Sequence, residues 1–360
     1  MDSDTRPVGV IGAGSFGIAI ANVLACNHQV LLYSRKADKV EQINKAHQCD
    51  EVFVNPRVQA TDDVEEITSR CRLLFPLVPS DNFRQMMRVF GPYLKPYHFL
   101  IHGTKGFDLV PPFCEDRLEV EGFVLSREYM RTMSEVILEE SCVLRVGYLA
   151  GPSLAREILE GKPSAAVIAS HFQEVIQAGQ VALSSKNYRA FGSFDLLGAE
   201  LAGAFKNIIA LGAGLLDGHG LGRNLHGIFI SRGLREMLYL GSMLGASNRA
   251  FLGIAGIGDM VTTSTSPHSR NYQSGVQLAK GKTVEQIRSD NTFLAEGIRT
   301  LRIVRQLIRQ NNLDSPIMDI LYKVVFEQYP IEHAVDELMS LSYDEDLDFL
   351  EMTTRPKYRS

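Results

Sequence analysis

Val8-Gly9-Val10-Ile11-Gly12-Ala13-Gly14-Ser15-Phe16-Gly17 is the stretch that decides the fold. Val8–Ile11 is short, apolar and rich in β-branched residues, which predicts a buried strand. Gly12, Gly14 and Gly17 follow at GxGxxG spacing, and Ser15 to Ala25 reads as a helix of small and apolar residues. In a strand–turn–helix of this kind the first glycine permits the tight turn. The second lets a pyrophosphate approach the backbone, and the third lets helix and strand pack closely. The amides at the helix start, around Ser15 and Phe16, then face the anion. Glycine-rich turns are common, so it is the strand before and the helix after that make this one a dinucleotide site. Gln29–Tyr33 is a second buried strand and completes a β-α-β unit of a parallel sheet.

Working outward, strands are expected at Leu73–Val78, Phe99–His102, Leu144–Leu149, Ala165–Ala169 and Tyr188–Phe194. The α/β alternation predicts a Rossmann-type doubly wound sheet over residues 1–198. Strand signals then nearly vanish. Glu200–Leu216, Asn224–Leu244, Thr283–Asp290, Gly297–Asn311 and Pro316–Phe326 read as helices, so residues 199–360 are expected to form a mostly α-helical substrate domain. No Pro/Ser-rich linker separates the halves, which should pack tightly around a cleft. Phe107–Glu140 is a charged connection without a clear strand, and the tail Tyr343–Ser360 is expected to fray.

Composition excludes several classes. The 360 residues carry a net charge of −5, with 45% hydrophobic and 22% charged residues. That suits a soluble globular protein of about two domains and offers no basic footprint for nucleic acid. No run of about 18 apolar residues predicts a membrane span, and no basic region followed by an apolar run predicts a signal sequence. The five cysteines, Cys26, Cys49, Cys71, Cys114 and Cys142, show no CxxC spacing. Reduced thiols are the expectation, with no metal site.

Three segments carry candidate chemistry. Glu200–Asn207, ELAGAFKN, sets Lys206 among Leu201, Phe205, Ile208, Ile209 and Leu211. Either Lys206 snorkels, or burial lowers its pKa and suits it to exchange a proton with a substrate hydroxyl. Its neighbour Asn207 would hold substrate or cofactor, or cap something buried. Lys105, in Gly103-Thr104-Lys105-Gly106, follows a strand where the ligand crevice of an open sheet lies. It would contact a phosphate or polarise an oxygen, unless it is a solvated loop lysine. Gly253–Asn271 combines glycines, Asp259, six Ser/Thr residues and Arg270-Asn271. Arginine grips phosphate in bidentate fashion, and Asp259 near Lys206 would orient the ammonium. The alternative is a polar surface loop. His219 and His226 read as surface or loop residues, and His102 as a residue at a strand end within possible reach of the cofactor. At the tip of the second strand Ser34-Arg35-Lys36 offers no carboxylate for ribose hydroxyls, and Arg35 and Lys36 would pair with a 2′-phosphate. NADP is therefore favoured over NAD.

The chain resembles the NAD(P)-dependent glycerol-3-phosphate dehydrogenases of the bacterial, biosynthetic kind. The residues that carry the resemblance are VIGAGSFG at Val10–Gly17, VPS at Val78–Ser80, TKG at Thr104–Gly106 and GPSLARE at Gly151–Glu157. ELAGAFKNIIALGAG at Glu200–Gly214, AGIGD at Ala255–Asp259, SRN at Ser269–Asn271 and AEG at Ala295–Gly297 complete them. The resemblance implies reduction of dihydroxyacetone phosphate to sn-glycerol 3-phosphate by NAD(P)H, in a cytoplasmic homodimer that feeds phospholipid synthesis. It implies that Lys206 is the proton acceptor in the oxidative direction. It places Lys105, Gly151, Ser153, Asp259, Ser269, Arg270 and Asn271 against substrate. It places Ser15, Phe16, Arg35, Lys105, Ala155, Arg270 and Glu296 against cofactor. The chain departs from the family at Tyr272-Gln273-Ser274-Gly275 and Leu225-His226-Gly227, at Pro76, and through an apparent insertion within Phe107–Glu140. Two other classes share the glycine loop: β-hydroxyacid or ketopantoate-type reductases, which have no need of the SRN segment, and a non-catalytic dinucleotide sensor, which has no use for Lys206, Lys105 and Arg270 together.

Overall fold

The computed structural model describes residues 6–110, 125, 127–289 and 296–341. Eight strands form one sheet: β1 (Val8–Ile11), β2 (Val30–Tyr33), β3 (Val58–Thr61), β4 (Leu73–Pro76), β5 (Phe99–His102), β6 (Arg145–Ala150), β7 (Ser164–Ser170) and β8 (Tyr188–Ser193). Their spatial order is β8-β7-β6-β5-β4-β1-β2-β3. Chain order reverses between β1 and β4, which is the topological switch point where ligands enter sheets of this type. Ile11 pairs with Tyr33 on one side and with Pro76 on the other. The glycine loop therefore leaves the sheet at the carboxyl ends of three neighbouring strands.

Two features differ from the sequence expectation. β3 carries Gln59 in a four-residue edge strand and lacks the apolar run that marks the others. The sheet is also not wholly parallel, because β6 and β7 run antiparallel, with Gly147 opposite Ser170 and Ala150 opposite Val167. The 151–163 connection holds only the short helix Ala155–Leu159. It has no crossover helix long enough to return the chain to the same end of the sheet.

Beyond β8 the described chain is helical. Leu196–Gly218 is long and apolar enough to cross a bilayer, yet 94% of its most apolar window is buried inside the protein. It is the core helix around which the others pack. Small residues bring neighbours within backbone contact: a Cβ at Gly214 would lie 1.9 Å from the Tyr272 carbonyl oxygen, and one at Gly275 2.0 Å from that of Leu211. These glycines seat the helix Arg270–Ala279 directly on the core helix.

Both ends of the charged connection after β5 are described. Asp108–Leu109 pairs antiparallel with Met130–Arg131, and a capping box of Thr132 and Glu135 starts the helix Met133–Glu140. Most of the apparent insertion, the tail from Tyr343, Cys114 and Ala295 lie outside the described residues.

Candidate active site

The glycine loop is built by steric necessity at two positions and by openness at the third. Gly12 has φ +117°, a conformation that L side chains rarely adopt. A Cβ on Gly17 would sit 1.8 Å from the Gly12 carbonyl oxygen, whereas one on Gly14 would meet nothing within 4 Å. The helix Ser15–Leu24 starts at Gly14 with no side-chain cap and no acidic residue in its first turn. Its first amides and the positive end of its dipole face that open space, which is what a pyrophosphate needs. A cleft of about 340 Å³ runs from Gly12–Gly14 past Ser34, Arg35 and Lys36 to Met86, Val89 and Phe90. The residues present thus fit a dinucleotide, with cations at one end and apolar side chains opposite.

The second part of the site assembles three distant segments. Asp259 is 2% exposed and Lys206 4%. The Lys105 ammonium lies 2.5 Å from Asp259 Oδ2, and the Lys206 ammonium 3.1 Å from Asp259 Oδ1. Lys206 also donates to Thr263 Oγ1 at 2.6 Å. Thr263, one turn after Asp259, donates to the Asp259 carbonyl at 2.6 Å. Burial pushes the Lys206 ammonium down to about 7: Asp259 opposes this and Lys105 adds to it. Burial alone would raise the Asp259 carboxyl, but the two lysines hold it below the ordinary carboxylate range. The result is a buried lysine that titrates near neutrality beside a fixed anion, an arrangement suited to proton transfer. Snorkelling is excluded, because the Nζ is spent on buried partners.

Local backbone explains how Asp259 arrives there. Ile254–Gly258 is a single π-helical turn leading into the helix Asp259–Thr265. Gly256 permits it, since a Cβ would fall 2.0 Å from the Phe251 carbonyl oxygen. Such wide turns recur at functional sites. Gly151 (φ +109°) packs the GPS loop against Ile254 of this turn. The Ser153 hydroxyl donates to the Gly151 carbonyl at 2.9 Å, and half-buried Ala155 opens the next short helix.

Asn207 and Asn271 turn out to brace the site. Asn271 donates to Asn207 Oδ1 at 2.9 Å and accepts from the Gly297 amide at 2.8 Å, joining three helices. Ser269 caps the helix that Arg270 begins, and Arg270 itself is exposed at that N-terminus. Glu296 is engaged with the sheet domain, since it accepts from the Ser80 amide (3.1 Å) and hydroxyl (2.6 Å).

The histidines need correction. His226 is 3% exposed, not a surface residue, and its Nδ1 lies 3.3 Å from Asp217 Oδ1. His102 is fully buried, 3.0 Å from Glu200 Oε1 and 3.1 Å from the Ser134 hydroxyl. It pins the strand that leads to Lys105 onto the helix that carries Lys206. The sequence left this contact unread, along with the contact of Ser80 with Glu296 and the parts played by Thr263 and Lys39. Only Thr263 left a usable signal, at i+4 from Asp259 on one helix face.

Comparison with known proteins agrees with this geometry. The family model for the NAD-dependent glycerol-3-phosphate dehydrogenase N-terminus matches residues 7–176, and that for the C-terminus matches 195–336. The chain belongs to the NAD-dependent glycerol-3-phosphate dehydrogenase family. It is 34% identical to a protein named glycerol-3-phosphate dehydrogenase (NAD(P)+) from Carboxydothermus hydrogenoformans, over 95% of this chain and 98% of that one. A protein of the same name from Azotobacter vinelandii is 35% identical over 96% and 97%. The crystal structure of glycerol-3-phosphate dehydrogenase from Coxiella burnetii superposes with a TM-score of 0.81 at 27% identity, covering 94% of this chain and 99% of that one. A ketopantoate reductase from Ralstonia eutropha shares the fold alone, with a TM-score of 0.53 at 13% identity over 92% and 99%.

Proposed function

We propose that this family member reduces dihydroxyacetone phosphate reversibly to sn-glycerol 3-phosphate, with Lys206 as the proton donor. The observation that carries the reading is the buried Lys206–Asp259–Lys105 cluster, with the dinucleotide cleft at the carboxyl ends of β1, β2 and β4. The Gly12–Gly17 loop with Ser15, Phe16, Arg35 and Ala155 would hold NAD(P)H, which when bound would supply the hydride for the ketone carbon. Lys206 gives its proton to the carbonyl oxygen, and in oxidation takes it back from the hydroxyl. Asp259 fixes the Lys206 ammonium through Oδ1 and the Lys105 ammonium through Oδ2. Lys105 directs positive potential at the substrate oxygen, a form of stabilisation that gains strength where water is excluded. Arg270, at a capped helix N-terminus, takes the substrate phosphate. Asn207 and Asn271 hold the phosphate-side helix against the lysine helix, while Gly151 and Ser153 close the opposite wall. Glu296 positions Ser80 beside the cofactor.

The same reading includes a preference for NADP over NAD, supported by Arg35 and Lys36 at the β2 tip. It sets the domain boundary near residue 198, where β8 gives way to the core helix. It takes the protein as a cytoplasmic homodimer that supplies phospholipid synthesis, on the strength of the family resemblance.

The test is NADPH and NADH oxidation followed by absorbance with dihydroxyacetone phosphate, and with dihydroxyacetone as control. Turnover that requires the phosphate is the expected result. Tight NADPH binding with no turnover on any phosphorylated ketone would overturn the reading in favour of a dinucleotide sensor.

A further inference from the structure

Lys39 lies in the helix Ala37–Ala46 that follows β2, and it lines the same cleft as Gly12–Gly14 and Ser34–Lys36. Its side chain is 15% exposed, and its ammonium donates to the Ala13 carbonyl at 3.2 Å, inside the glycine loop. The Asp50 carboxylate forms an ion pair with it, and the Cys49 thiol lies against it as well. Lys39 therefore faces the region between the pyrophosphate end and the β2 tip, where the adenosine ribose of a dinucleotide lies in folds of this kind.

Asp50 is presented there by a purposeful piece of backbone. Gln48–Cys49 and Val52–Phe53 form a small antiparallel ribbon. Asp50 and Glu51 make its turn with φ +47° and +65°. A two-residue turn with both φ positive prefers Asn or Gly, and a glutamate there is strained. The ribbon does not float, because Asn22 of the glycine-loop helix donates to the Phe53 carbonyl at 2.8 Å and accepts from the Asn55 amide at 2.9 Å. The Asp50 side chain is nonetheless 67% exposed. Ion pairs so exposed are weak and yield to a stronger anion.

We infer that Lys39 is the residue by which this chain discriminates NADPH from NADH, and that Asp50 moderates that preference by holding the Lys39 ammonium as a ribose 2′-phosphate would. With NADH the Lys39–Asp50 pair stays closed, and the ribose hydroxyl meets no uncompensated charge. With NADPH the phosphate takes over the ammonium and the exposed carboxylate turns to solvent. Arg35 and Lys36 add general attraction, but both are exposed, so Lys39, braced from the glycine loop, supplies the directed contact. The inference rests on the reading of this cleft as a nicotinamide dinucleotide site, and it is independent of the substrate.

Dissociation constants for NADPH and NADH, measured by fluorescence titration at fixed ionic strength, test it on wild type, Lys39→Ala, Lys39→Gln and Asp50→Asn. Loss of a charge-assisted contact predicts NADPH weakened about tenfold or more in both Lys39 variants, with NADH changed by no more than about twofold. Asp50→Asn should strengthen NADPH by roughly two- to fivefold, since it removes a weak competing pair, and leave NADH as it was. If the Lys39 variants weaken both cofactors equally, Lys39 is only a brace for the glycine loop and the inference fails. NADPH affinity that survives loss of Lys39 would assign selectivity to Arg35 and Lys36 instead. Wild-type protein that binds neither cofactor would overturn the dinucleotide reading, and this inference with it.

Discussion

The glycine loop and the lysine–aspartate cluster, which we assign to one site, are made in opposite ways. The loop is contiguous, built from backbone, and shaped by what is missing from Gly12, Gly14 and Gly17. The cluster is assembled from residues 105, 206 and 259, built from side chains, and works through burial that moves Lys206 to about 7. A backbone site fails when atoms are added. A desolvated side-chain site fails when atoms are taken away, because a partner charge is then left buried and uncompensated.

The largest effect expected is therefore a deletion in the second half. Lys206→Ala should lower kcat by roughly 10²–10⁴-fold, the usual share of general acid–base catalysis, while NADPH affinity stays near wild type. Steady-state kinetics and a binding titration on the same preparation check both. Turnover within about threefold of wild type would remove Lys206 from its role.

Additions to the loop come next, and two glycines should separate. Gly17→Ala drives a Cβ into the Gly12 carbonyl. Overpacking of this kind costs about 1–3 kcal/mol, so the melting temperature and cofactor affinity should fall together. Gly14→Ala meets no protein atom, so its melting temperature should hold while NADPH and NADH both bind less well. Equal thermal losses in the two variants would show that the open space at Gly14 has no ligand purpose.

A smaller effect is expected far from either half. Glu236 is 5% exposed and accepts from the Ile317 and Met318 amides and the Ser315 hydroxyl, at the N-terminus of the helix Pro316–Phe326. Burial pushes the Glu236 carboxyl up to about 8, so the comparison belongs above that pH, where Glu236→Gln keeps the shape but turns one acceptor into a donor facing donors. It should cost about 1–3 kcal/mol of stability, read by chemical denaturation, with kcat almost unchanged.

The same contrast explains what the sequence could reveal. Strand, turn and helix of the loop are neighbours in the chain, so ten residues were enough to read them. The core helix was legible from its apolar run, although its ends at Leu196 and Gly218 reach beyond Glu200–Leu216. Lys206 and Asp259 could be named and their pairing expected, but the 3.1 Å contact itself depends on how separate helices pack. Tertiary partners left no local trace at all: His102 on Glu200, Ser80 on Glu296 and Lys39 on Asp50 each link segments whose spacing follows no period. β3 and the antiparallel β6–β7 pair were missed for a related reason. An edge strand needs little hydrophobicity, and strand direction is set by the length of the connection.

The central claim is that burial has tuned Lys206 into the proton donor, and the most direct test is the pH dependence of kcat/KM in both directions. Reduction needs the ammonium, so its rate should fall as pH rises through about 7. Oxidation needs the neutral amine, so its rate should rise through the same pH. In Lys206→Ala both limbs should vanish from the residual activity. Profiles that are flat from about pH 6 to 9 in the wild type, where an ordinary lysine near 10.4 stays charged, or limbs that persist without Lys206, would contradict the account.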